Sequence, residues 1–154
     1  MVTCIEVIEH VLEPKHEAAR IAGLLRCGGC LYVTTPNFDS LSRRVSGPKW
    51  RAIEYPEHLN MCTPHTLESL LAAAGFRKRS LRTTGLSISD LAAALRTAHA
   101  GAQASHSGSH RAADAQLRTS VIRSGSAELA LEALNAVLSG LKMGDTIKGF
   151  FVRI

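Results

Sequence analysis

Three side chains able to bind a cation or move a proton crowd the start of the chain. They are Glu6, Glu9 and His10, in the run MVTCIEVIEHV. Spacings of three and four residues would put all three on one side of a helical turn. Two carboxylates and one imidazole make a mixed donor set. Hard oxygens suit magnesium, whereas the imidazole leaves zinc or manganese open. The other reading is that Glu9 and His10 cap or orient the following helix and never meet a metal. Spacing alone leaves both open.

A second candidate is His58, within PEHLN. A neutral imidazole titrates near neutrality and can take the proton of a substrate hydroxyl. The plainer alternative is a loop histidine bonded to backbone. Around it, Trp50 and Tyr55 could pack on an aromatic or sugar acceptor, or could anchor the loop to the core. Arg43, Arg44 and Arg51 could hold an anionic small molecule, or could be solvated surface. Cys27-Gly-Gly-Cys30 has redox or zinc spacing. It follows a predicted helix rather than heading one, which is the wrong pole of the dipole for a low-pKa thiol. A structural zinc would want a second such pair, so a Gly-Gly turn with two incidental cysteines is the stronger reading. His106 and His110 are four apart, but their Gly/Ser-rich setting argues against a helix that would join them.

Elements must hold these groups in place. Val2 to Val7 reads as an apolar, β-branched strand. Glu13-Pro14 starts a helix, proline being suited to its first turn. Ala18, Ile21, Ala22 and Leu25 follow helical spacing, and Gly28-Gly29 is the expected stop. Cys30 to Pro36 (CLYVTTP) is a second strand. Strands joined by a helix are expected to be parallel, and near-continuous apolar strands imply a sheet covered on both faces. Residues 37–62 form a long connection after a strand end, where open α/β sheets bind ligands. Thr63-Pro64 is expected to cap a helix with Leu67, Leu70, Leu71 and Ala74 on its apolar face, ended by Gly75. Phe76 to Thr84 is a third strand. Helical patterns cover 88–98 and 128–141, with a low-complexity, mobile helical insert expected over 99–125. GDTIKGFFVRI closes the chain as a fourth strand.

The 154 residues suit one domain, 1–154, and a hydrophobic fraction of 45% is ordinary for a globular protein. No apolar run reaches the ~18 residues of a membrane helix, and no signal-peptide pattern opens the chain. A cytoplasmic location is the expectation. The net charge of +5 is modest and aromatics are only 5%, which argues against nucleic-acid binding.

Three segments together resemble one family. VTCIEVIEHV, LLRCGGCLYVTTPN and PEHLNMCTPHTLESLLAAAGF look like consecutive signatures of class I S-adenosylmethionine (SAM)-dependent methyltransferases. The nearest flavour is the ubiquinone-biosynthesis O-methyltransferase type (methyltransferase domain 23) and relatives acting on sugars. GDTIKGFFVRI is similar to that fold's last strand. The resemblance implies a Rossmann-like α/β sheet, here truncated to strands four to seven with covering helices. It implies O-methyl transfer to a small metabolite such as a quinone precursor or sugar, with SAM as donor. It also implies that the Gly-rich donor-binding half is missing, since no G-x-G-x-x-G follows a strand. The isolated chain is then expected to be weak or inactive. Its first strand would have a bare edge, open to a second copy or a partner chain.

By the same resemblance, Ile5 and Glu6 match positions flanking the donor, and Cys4 beside them is a further donor-contact candidate. Glu6, Glu9 and His10 match a Glu-x-x-Glu-His set associated with magnesium. His58 matches a histidine on the substrate side; Trp50, Arg51 and Tyr55, by residue type and place in the same loop, are the candidates for the acceptor. Two other functions compete. One is a non-catalytic remnant acting as a dimerising or regulatory partner. The other is a small metal-binding protein built on Glu6, Glu9, His10 and the cysteine pair.

Overall fold

The computed structural model describes residues 1–50, 52–86 and 125–154. Strand β1 (Val2–Ile5) pairs in parallel with β2 (Cys30–Pro36), in register from Val2–Leu31 to Ile5–Thr34. Helix α1 (Pro14–Gly23) joins them, so the β-α-β expectation holds. Two of its boundaries move. β1 ends at Ile5 rather than Val7 because Glu6 takes a φ of 52°, in the left-handed region that stops an extended chain. α1 ends at Gly23 rather than Gly28 because the Leu24 N–H folds back onto the carbonyls of Arg20 and Ile21 and tightens the last turn. Gly28, at φ 80°, instead forms the turn into β2.

The long connection is partly helical. α2 (Leu41–Ser46) is capped by the Ser40 hydroxyl, which accepts from the Arg43 N–H at 3.2 Å, and a 3-10 turn follows at Gly47–Lys49. α3 (Pro64–Ala73) starts as expected. Thr63 Oγ1 accepts from the Thr66 N–H at 3.1 Å and Thr66 Oγ1 accepts from the Thr63 N–H at 2.8 Å, a reciprocal cap. β3 (Phe76–Thr84), α4 (Gly125–Gly140) and β4 (Thr146–Arg153) complete the described chain. The helical pattern over 88–98 and the histidines at 106 and 110 lie outside the described residues. So does the insert expected over 99–125, apart from Gly125, which begins α4.

The sheet order is β1-β2-β4-β3, with β4 antiparallel to both neighbours. One face carries Cys4, Leu31, Val33, Ile147 and Phe151, packed with Ala18, Ile21 and Ala22 of α1 and Leu67 and Leu71 of α3. α4 lies on the same side, with Leu138 buried and its carbonyl accepting from Thr83 Oγ1 at 3.4 Å. Gly149 is required there: a Cβ would meet the Phe151 ring at 2.5 Å.

The opposite face, among the described residues, departs from the expectation of a sheet covered on both sides. Thr3, Ile5, Lys148, Phe150 and Arg82 are exposed on it, with Tyr32 half-buried. The Tyr32 and Phe150 rings sit 4.7 Å apart and shield each other. Among the described residues, the apolar run meets a cross-strand aromatic pair on this face and no second layer.

Candidate functional site

The chemistry gathers where β1 and β2 end. The Thr34-Thr35 pair at the end of β2 aims one hydroxyl to each side of the sheet, as alternation demands. Thr34 Oγ1 donates to Glu6 Oε1 at 2.9 Å, and Thr35 Oγ1 donates to Glu9 Oε2 at 2.9 Å. Glu6 stays exposed. Glu9 is 1% exposed, and its Oε1 has no hydrogen-bond donor among the described residues. Burial pushes the Glu9 carboxyl above the usual carboxylate range. Its own backbone and Thr35 pull the other way, and the neighbouring Glu6 adds to the rise. The same setting keeps two thiols protonated. Burial, then the charge of Glu9, raises Cys62 to about 11, and burial first also raises Cys4.

The residues after Glu6 form a turn, not the helical turn that the spacing suggested. The loop then folds onto this turn. The Glu9 carbonyl accepts from the Leu59 and Asn60 N–H groups at 2.8 and 2.9 Å, and Asn60 Nδ2 donates to the Val11 carbonyl. The backbone contacts bring His58 to His10, ring centroids 4.7 Å apart at 61°. His10 Nδ1 lies 2.8 Å from the Glu57 carbonyl, and His58 Nδ1 lies 2.7 Å from the Ala52 carbonyl. A carbonyl only accepts, so each Nδ1 carries the proton of its hydrogen bond, and in the neutral ring Nε2 then holds the lone pair. One donor atom each from Glu9, His10 and His58 lies within 4.8 Å of the others.

This changes the metal set. Glu6, expected beside Glu9 and His10, is not in the cluster; its carboxylate takes the Thr34 hydroxyl, and His58 stands in its place. Two imidazoles and one carboxylate are a nitrogen-rich set that does not fit magnesium, which asks for oxygen.

A cavity of about 140 Å³ opens beside the cluster, lined by Glu6, Pro36, Trp50, Ala52, Glu54, His58, Asp145 and Thr146. It joins a donor-side candidate, Glu6, to two acceptor-side candidates, Trp50 and His58. Trp50 is buried, its ring 6.2 Å from that of Phe38. Tyr55 is 86% exposed and does not line the cavity. Arg51 lies outside the described residues. Arg43 stacks over the Phe38 ring at 4.1 Å and Arg44 pairs with Asp39 at 3.2 Å, so neither lines the cavity. Of the donor-side residues, Ile5 is exposed, while Cys4 points into the core. The exposed Cys27 and Cys30 are free and flank the turn into β2.

Sequence reasoning missed Thr34, Thr35, Asn60, Asp145 and Thr146. Two polar residues at the C-terminal end of an otherwise apolar strand were the available signal for the first two. Asp145 and Thr146 reach the site only through the β4–β2 pairing, which brings Thr146 opposite Pro36.

Among the described residues no helix is long and apolar enough to cross a membrane. A family model described as a methyltransferase domain matches residues 1–81, more than half of the chain. No curated protein matches. The solved structure of the [4+2]-cyclase SpnF is similar with a TM-score of 0.47 and 18% identity, over 98% of this chain and 49% of that one. A chain from the complex between the Haloferax volcanii Trm112 methyltransferase activator and the putative methyltransferase gives 0.49 and 14%, over 98% and 52%. The chain thus spans about half the length of these solved structures. The match over residues 1–81, which covers the β-α-β unit, the loop carrying His58, α3 and most of β3, shows that the chain belongs to the methyltransferase family.

Proposed function

We propose that this chain supplies the acceptor side of a SAM-dependent O-methyl transfer to a small metabolite such as a quinone precursor or a sugar. One observation carries the reading: a single cavity at the ends of parallel strands is lined by Glu6, Trp50 and His58 together. When bound, SAM supplies an electrophilic sulfonium methyl, and the transfer itself breaks one C–S bond as one C–O bond forms. The chain's own residues do the rest. Glu6, with Ile5 and the backbone of Cys4, would border the donor at the end of β1. Trp50 gives the cavity a fixed aromatic wall. His58, holding its proton on Nδ1 against the Ala52 carbonyl, keeps Nε2 free to take the acceptor's hydroxyl proton. Orientation by these walls is the larger part of the expected rate.

On this reading most donor contacts come from residues outside this chain, and the complete site needs them. The free edge of β1, which pairs only with β2 among the described strands, supports that division. The same edge supports a second reading, a non-catalytic partner that pairs through β1, with Ile5 55% exposed beside it. Calorimetric titration with S-adenosylhomocysteine separates them. Saturable one-to-one uptake supports the enzyme. A folded chain that takes up none and sediments as a dimer supports the partner.

A further inference from the structure

The Glu9, His10 and His58 cluster differs from the magnesium set that the family resemblance implies. From that difference we propose that it is a binding site for a borderline first-row divalent ion, zinc foremost. The inference stands on this geometry and does not depend on the methyl-transfer reading.

Four observations support it. Donor atoms of all three residues lie within 4.8 Å of one another. Ligands about 2.0–2.1 Å from a tetrahedral zinc sit roughly 3.3 Å apart, so the cluster must close by at most about 1.5 Å. His10 is exposed on a turn and has room to do so. Both imidazoles are already fixed in the ligating tautomer, each with Nδ1 on a backbone carbonyl, Glu57 for His10 and Ala52 for His58. That outer bond is the usual support of a metal-binding histidine. Finally, Glu9 Oε1 is buried without a donor while Oε2 is held by Thr35. A buried carboxylate oxygen left without a donor is costly, and an ion held between Glu9 and the two imidazoles would offset that cost. The donor chemistry, two nitrogens and one oxygen, selects zinc, cobalt or nickel over magnesium or calcium.

The site would also act as a clasp. Glu9 and His10 follow β1, whereas His58 lies in the loop that carries Trp50, so one ion would tie that loop to the strand end. It would also occupy the His58 lone pair that otherwise takes a proton, so the two uses of His58 exclude each other.

The test uses the full chain carrying Cys27→Ser and Cys30→Ser, which removes the exposed C-x-x-C pair as a rival zinc ligand. Cobalt(II) is titrated and visible absorption recorded. The expected result is d–d bands that saturate at one equivalent, vanish on adding zinc, and persist in a hundredfold excess of magnesium. The apparent melting temperature rises with zinc, and His10→Ala weakens zinc binding at least tenfold. His10 is exposed, so that variant should keep its metal-free melting temperature. Absence of the bands overturns the proposal, as does their displacement by magnesium or an unchanged zinc affinity in His10→Ala.

Discussion

Phe150 and Phe151 are adjacent in β4 and live in different environments. Phe151 is buried among Leu31, Val33, Leu67 and Leu71, whereas Phe150 is 46% exposed and covered only by Tyr32. The two faces of one sheet are therefore held differently. The inner face is an apolar layer under three helices. The outer face is a stripe of Thr3, Tyr32 and Phe150 between exposed polar residues, with no helix over it among the described residues. The site belongs to neither face. It sits at the strand ends, where Glu9, Thr35 and Asn37 are buried and polar. Apolar burial makes the sheet, and buried hydrogen bonds at its end shape the site.

The largest expected effect sharpens this contrast. Phe151→Ala should cost about 3–5 kcal/mol of unfolding free energy, by loss of contacts plus a cavity. Phe150→Ala should cost under about 1 kcal/mol, since an exposed ring gives up little burial. Urea unfolding of the two variants measures both. Equal losses would mean that the outer face is covered.

Next comes Asn37→Ala, at the polar end. Asn37 Nδ2 donates to the carbonyls of Lys142 at 3.0 Å and Gly144 at 2.7 Å, and its Oδ1 accepts from the Asp39 N–H at 3.0 Å. The variant leaves those groups without the Asn37 side chain, the buried Gly144 carbonyl among them, and should cost about 1–3 kcal/mol in the same assay. It should also loosen the approach of β4 to α2, visible as faster amide exchange at Leu41, whose N–H bonds to the Met143 carbonyl at 2.9 Å.

A smaller effect is the pH dependence of Glu9. Its folded pKa is raised by burial, so the neutral carboxyl is favoured in the fold. That contribution to stability is complete below the ordinary carboxylate pKa and is lost as pH rises through the raised value. Metal-free protein should therefore lose stability over that window, and Glu9→Gln should flatten the profile. An unaltered profile in Glu9→Gln would place the pH dependence elsewhere.

The smallest effect leaves stability aside. Of the four cysteines, the exposed Cys27 and Cys30 should react quickly with a disulfide reagent, and Cys4 and Cys62 only after unfolding. The Cys62 thiol, raised to about 11, is both buried and protonated at neutral pH.

The elements were legible where local pattern decides. Pro14 and Thr63-Pro64 marked helix starts, and Phe76 to Thr84 is the third strand as read. What escaped depends on contacts between distant segments. The left-handed turn at Glu6 does not show in a run of β-formers, because Glu carries no sign of that preference. His58 joins Glu9 and His10 across nearly fifty residues, through loop amides bonded to the Glu9 carbonyl. No spacing rule spans that distance. Glu6, chosen by spacing as a metal ligand, is the partner of Thr34 and a wall of the cavity, and lies outside the three-residue cluster.

In the proposed function the donor end of the methyl transfer lies at the close of β1, beside the cavity of Trp50 and His58. A two-dimensional amide spectrum of the labelled chain, recorded with increasing S-adenosylhomocysteine, tests it directly. Saturable shifts are expected at Cys4 to Val7 and at the Trp50 indole, with α3 unmoved. No shifts in a folded chain, or shifts confined to α3 and β3, would contradict it.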